Sequence, residues 1–213
     1  MDIQIRQGPQ CHTSNCYTYR NDDIKYIVIH FTSNNGDTAL NNCNYFSGEN
    51  RGASAHYFVG DDGIYQSVPD KWAAWAVGGT KIYKHPYCRN MNSISIEMCS
   101  RIGADGKYYI RDGIVEQTIK LTRYLMNKYG VPAQNVLRHY DVWDKQCPEP
   151  FVRKPELWQD FKKKLTESEN LTMEQYNELK SLIEKQAAEI AQASEFIDSK
   201  PEGYDTPIAQ GGT

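Results

Sequence analysis

The chain has 213 residues, 24 of them basic and 27 acidic, for a formal charge of −3 at pH 7. That length holds one well-cored domain and an appendage, and the charge balance leaves no broad basic surface for a nucleic-acid backbone. Aromatic residues make up 12% of the chain, including 15 tyrosines and 4 tryptophans, more than the core requires and suited to a wet, partly apolar groove for a polymer or glycan.

The opening residues MDIQIRQGPQ lack a basic stretch followed by an apolar one, and no later segment offers the ~20 apolar residues that span a bilayer. The expectation is a soluble product without a signal peptide and with no membrane partner. A chain made in a reducing compartment keeps most of its six cysteines as thiols. Cys99, at the end of the alternating run SISIEMC, reads as a small buried hydrophobe.

In chain order, IKYIVIH (24–30) is a short β-branched run of the kind that forms a buried central strand, and it ends in His30 where the sequence turns polar. Residues 53–68 read as two strands around an Asp-Gly turn. SISIEM (93–98) alternates strictly, so Ile94, Ile96 and Met98 share one face while Ser93, Ser95 and Glu97 share the other. From Ile114 to Tyr129 the apolar positions recur at three and four, with Asp112 upstream and Gly130 and Pro132 just past the end, which predicts an amphipathic helix. NVLRH (135–139) is strand-like and delivers His139 into the irregular segment RHYDVWDKQCP. A last domain helix over 156–165 packs Leu157, Phe161 and Leu165, and TESEN follows as a hinge.

These alternating elements predict an α/β domain with a central mixed β-sheet flanked by helices, plus a C-terminal helix. The expected division is a domain over 1–166, a heptad-bearing helix over 167–200 and a flexible tail over 201–213. The helix begins with a Thr172-x-x-Gln175 capping box. Tyr176, Leu179, Ile183, Gln186, Ile190, Ala193 and Ile197 follow at heptad spacing, which supports either a coiled coil that joins a homodimer or links a further module, or a single helix folded back on the domain.

Zinc takes nitrogen and sulfur ligands, and a catalytic site uses three from the protein. His30, His139 and Cys147 are of the right types, although a histidine after an apolar strand is commonly a satisfied edge residue. Cys11, His12 and Cys16 could hint at a second metal, but no fourth ligand stands near them.

Five segments in order, YIVIHFT, ASAHYFV, AAWAVGG, NSISIEM and RHYDVWDKQCPEPF, resemble the motifs of the zinc-dependent type 2 N-acetylmuramoyl-L-alanine amidases. That family includes phage endolysins and is related to the peptidoglycan recognition proteins. The resemblance spans residues 24–152 and implies that His30, His139 and Cys147 hold a zinc ion. It implies further that Glu97 activates water, that Lys145 offsets charge on the tetrahedral intermediate, and that His56 and Trp75 contact substrate. Ala76 replaces the histidine that usually follows this tryptophan. The implied partner is bacterial peptidoglycan, cut between N-acetylmuramic acid and L-alanine by a protein made in the bacterial cytoplasm and released to the wall through a pore. The competing readings are a non-catalytic muropeptide-binding module of the same fold and a cytoplasmic amidase that recycles wall fragments.

Overall fold

The computed structural model describes residues 3–78, 82–167 and 173–198. The expected capping box at Thr172, most of the hinge and the tail over 201–213 lie outside the described residues. Two compact units divide the chain, Met1–Glu167 and Ser168–Thr213.

The first unit contains β1 (Ile5–Gln7), β2 (Cys16–Tyr17), β3 (Tyr26–Phe31), α1 (Ala39–Phe46), β4 (Tyr57–Gly60), β5 (Gly63–Gln66), β6 (Ala73–Ala74) and β7 (Ser93–Met98). It continues with β8 (Arg101–Ile102), β9 (Tyr108–Tyr109), α2 (Asp112–Tyr129), β10 (Val136–Arg138), α3 (His139–Trp143), α4 (Glu149–Arg153) and α5 (Pro155–Thr166). Six strands form the main sheet in the order β1-β5-β4-β7-β3-β10. β4 and β5 are antiparallel around Asp61 and Asp62, and the other pairings in this sheet are parallel, so it is mixed as expected.

The strict alternation of β7 sets the two faces of the sheet. Ile94, Ile96 and Met98 join Ile27 and Ile29 of β3 in the main core, where Ile114, Leu121 and Leu125 of α2 also lie. α2 ends where Gly130 adopts a left-handed φ of 65° and its N–H caps the Met126 carbonyl, a conformation that glycine enters without a Cβ penalty. On the other face, Tyr26 and Val28 are covered by Val77, Cys88 and Val142, which leaves the C-terminal ends of β3 and β7 to form the site.

Two expectations change. α5 buries Phe161 and Leu165, but Leu157 is 41% exposed, and it is Trp158 that packs against the core. In the first turn of the helix the apolar stripe therefore passes through Trp158 in place of Leu157, while Phe161 and Leu165 keep their places. The segment after His139 is not irregular throughout, because residues His139–Trp143 form the short helix α3, closed by Asp144 at φ 55°. All six cysteines are free and buried.

The second unit contains α6, Met173–Asp198. Among its described side chains Leu182, Ile183 and Ile190 are exposed apolar groups. Tyr176, Leu179 and Ile197 of the heptad pattern lie outside the described side chains.

Candidate metal centre

His30 is the fifth residue of β3, and its register partner in β7 is Glu97. Facing residues in neighbouring strands point to the same side, so strand pairing alone brings these two side chains together. The Glu97 Oε1 atom lies 3.9 Å from His30 Nδ1. β10 pairs with the other edge of β3 and aligns Arg138 with Ile29, so the next residue, His139, emerges level with His30. The two imidazole centroids are 4.6 Å apart, tilted by 61°.

Cys147 returns to the same point after α3. Its carbonyl accepts the Tyr140 N–H at 2.9 Å, and its Sγ lies 3.8 Å from His30 Nδ1. One ligand-type atom from each of His30, His139 and Cys147 falls within 4.8 Å of the others, and all three residues are buried. Two ligands of one tetrahedral zinc stand roughly 3.6 Å apart, given Zn–N and Zn–S bonds of about 2.1 and 2.3 Å.

The polar atoms of this cluster lack partners. His30 Nε2 and both ring nitrogens of His139 are buried without a hydrogen bond, as is Glu97 Oε2. Buried polar atoms are normally satisfied, so four orphans in one place mark a spot that suits a bound cation and solvent. Burial holds the His30 ring well below the usual imidazole range, reinforced by the neighbouring His139 ring and the Lys145 charge. His139 is lowered to about 4 by burial and then by Lys145. Both rings are therefore neutral, with lone pairs free to bind a cation. Burial raises the Cys147 thiol, and Glu97 adds to that effect; a bound divalent cation reverses such a shift by favouring the thiolate. The donor set fits zinc.

Glu97 keeps 21% of its side chain exposed. Burial pushes its carboxyl up to about 8, with Lys145 opposing the rise and Asp37 adding to it. A cleft of about 460 Å³ opens beside it, lined by Asn34, Asp37, Asn41, Tyr45 and Phe58 among others. Lys145 is exposed on the loop before Cys147, close enough for its charge to act on His30, His139 and Glu97.

The remaining sequence candidates divide. Trp75 is half-buried, with its ring 5.4 Å from Tyr17 in an edge contact and its Nε1 buried without a partner. His56 does not face the cleft as expected: it is 0% exposed. Its Nδ1 accepts the Ser95 N–H at 3.0 Å, and its Nε2 lies 3.2 Å from the Trp72 carbonyl. A ring enclosed by main-chain groups on both sides has no edge left for substrate. His12 caps the turn at residues 13–15, its Nδ1 accepting the Ser14 N–H, and the one metal-type cluster among the described residues is His30, His139 and Cys147.

Arg20 was not legible as a structural centre. Its guanidinium donates to the carbonyls of Asp70 at 2.9 Å, Trp72 at 2.8 Å and Ser93 at 3.1 Å. No local pattern in CYTYRNDD marks it, because its partners come from residues about 50 and 70 positions downstream.

Comparison with known proteins gives a consistent result. Residues 20–150 match the family described as N-acetylmuramoyl-L-alanine amidase. A probable N-acetylmuramoyl-L-alanine amidase of Bacillus licheniformis is 35% identical over 149 residues, covering 67% of this chain and 41% of the relative. N-acetylmuramoyl-L-alanine amidase BlyA of Bacillus subtilis strain 168 is 32% identical over 154 residues, with the same coverages of 67% and 41%. The chain thus spans about two fifths of the length of the curated relatives it matches. Among solved structures, that of PlyL shares 28% identity at a TM-score of 0.62, covering 78% of this chain and 98% of that one. The catalytic domain of XlyA shares 26% at 0.60, covering 76% and 99%.

Proposed function

The chain belongs to the N-acetylmuramoyl-L-alanine amidase family, and on that premise we propose that it is a peptidoglycan hydrolase of the endolysin kind. It cuts the amide between N-acetylmuramic acid and the L-alanine that begins the stem peptide. The observation that carries this reading is the buried cluster of His30, His139 and Cys147, with unpartnered ring nitrogens beside an unpartnered glutamate oxygen. Those three residues would hold zinc, which when bound polarises the scissile carbonyl and acidifies a water molecule.

The chain's own groups supply the rest. Glu97 stands 3.9 Å from a ligand ring with Oε2 unengaged, so it can take the proton of the attacking water and return it to the leaving nitrogen. A carboxyl raised towards neutrality suits both transfers. The Lys145 ammonium, exposed and near enough for its charge to act on His30, His139 and Glu97, offsets negative charge that develops on the carbonyl oxygen. Trp75 forms part of the substrate wall.

We place the action at the bacterial cell wall, reached from the cytoplasm through a pore made by another protein. Among the described residues no helix is long and apolar enough to cross a membrane. Residues 1–166 form the catalytic domain in this reading, and the heptad-bearing helix joins two copies. Purified cell walls treated with the protein should yield new L-alanine amino termini without new reducing sugar ends. Release of reducing ends alone would overturn the assignment.

A further inference from the structure

Alternate residues of a strand direct their main-chain N–H and C=O to the same neighbour. Ser95 and Glu97 of β7 therefore both turn theirs towards β4. The pairing of β4 with β7 covers only Ile96 to Met98. Upstream of it, both main-chain groups of Ser95 go to one residue. The Ser95 carbonyl accepts the His56 N–H at 3.2 Å, and the Ser95 N–H donates to the His56 ring at Nδ1, 3.0 Å away. A side chain thus takes a place in the ladder that a strand would otherwise fill.

The ring itself is braced. With Nδ1 accepting, its proton resides on Nε2, which lies 3.2 Å from the Trp72 carbonyl. Arg20 Nη2 is 3.0 Å from that nitrogen and sends its own protons to the carbonyls of Trp72 and Ser93. A guanidinium so close disfavours a second proton on the ring, which leaves one charge state and one tautomer. β3 holds the opposite edge of β7 over six residue pairs and fixes its register. β4 takes the other edge only from Ile96 onward, so at Ser95 that edge is held by His56 alone, and a twist of the strand there would carry into the side chains of the same face. Glu97 is two residues, ~6.6 Å, beyond the grip at Ser95.

We propose that His56 is a positioning residue for amide cleavage: by clamping Ser95 through Nδ1, its ring sets the angle at which Glu97 meets His30. The proposal rests on the assignment of Glu97 as the base. It also accounts for a buried histidine immediately before β4 without any contact to substrate.

Two isosteric variants test it, because an asparagine oxygen falls near the place of Nδ1 and a glutamine amide near that of Nε2. His56→Asn should keep the Ser95 bond, slow amide exchange at Ser95, and a kcat within about threefold of wild type. His56→Gln should leave the Ser95 N–H without an acceptor and speed its exchange. Its kcat should fall about 10- to 100-fold with KM and zinc content unchanged, the scale expected of a small misplacement at a reacting group. Equal kcat in the two variants, or a kcat loss without faster Ser95 exchange, would overturn the proposal. If the glutamine variant does not fold, the asparagine variant decides alone: loss of kcat with Ser95 still protected rules the clamp out. A wild-type protein that released no L-alanine termini would sink the amidase assignment instead, while the exchange measurement would still report on the clamp.

Discussion

Glu97 and His30 are register partners across β7 and β3, with Oε1 3.9 Å from Nδ1. The proposed base and a proposed metal ligand are thus set by the pairing of two central strands about 4.8 Å apart, while the other two ligand-type residues stand at the start of α3, just past β10, and on the loop after α3. A site built this way separates two failures. Loss of the base leaves the cluster intact, and loss of a ligand leaves the base in place.

Glu97→Gln should therefore retain zinc at wild-type stoichiometry and lose amidase activity by about 10²- to 10⁴-fold, the usual contribution of a positioned acid or base. Metal analysis and wall digestion on the same sample check it. Retained activity would remove Glu97 from the mechanism.

Cys147→Ser should lose zinc affinity together with activity, because the thiolate is replaced by a weak neutral oxygen ligand. Chelation of the wild type should lower its melting temperature as well. A ligand that binds only the folded state at 1,000 times its Kd contributes about 4 kcal/mol. The Cys147→Ser variant should melt at the same temperature with and without chelator; a chelator-dependent shift in the variant would show the metal bound elsewhere.

Acid stability follows from buried neutral His56. Burial, and then the Arg20 charge, lowers its pKa to about 3, whereas in the unfolded chain it titrates near 6.5. Because the folded value is depressed and the charged form is the disfavoured one, the stabilisation is complete above pH ~6.5 and declines as pH falls from there towards 3, by an amount on the order of a few kcal/mol. Asp70 acts in the same direction lower down. Burial would raise its carboxyl, but hydrogen bonds from Tyr129, Tyr57 and Lys128 hold it below the ordinary value, so its contribution fades only as pH falls through the carboxylate range. Urea midpoints of the zinc-free protein from pH 7 to 4 should decline, and His56→Asn, which cannot titrate, should flatten that slope.

Leu121→Ala removes a fully buried side chain from the face of α2 that meets the sheet and should cost about 2–5 kcal/mol. Leu157→Ala, at 41% exposure, should change stability by less than about 0.5 kcal/mol. Denaturant melts of the two would distinguish the packing seen in α5 from the one its leucines suggest.

Ile183 and Ile190 of α6 stand one heptad apart and are 57% and 70% exposed. If α6 joins two copies, Ile190→Lys should convert a dimer to a monomer in sedimentation, with the catalytic domain's activity on soluble fragments unaffected. A wild-type monomer at micromolar concentration would exclude this role.

Several features are legible in the sequence because they depend on neighbours in the chain. The alternation of SISIEM placed Glu97 off the core face, the three-and-four spacing of 114–129 located α2, and Gly130 and Pro132 marked its end. The chemical types of His30, His139 and Cys147 made them candidates, and the order of five motifs tied them together. Their meeting was not local information: Cys147 and His30 are 117 positions apart. Bringing them together required β10 to pair with β3 and α3 to turn the chain back.

His56 shows the limit most plainly. Its sequence neighbourhood says only that it lies at the start of a strand, and a strand residue there can face cleft or interior. The decision came from Ser95, Trp72 and Arg20, three residues from separate segments whose main-chain and guanidinium groups close around the ring. Sequence determined which residues lie on which face of each element, because strand and helix periodicities are properties of the backbone. Only the tertiary structure decided which polar groups would find partners and which would stay open, since that depends on segments that meet only when the sheet is assembled.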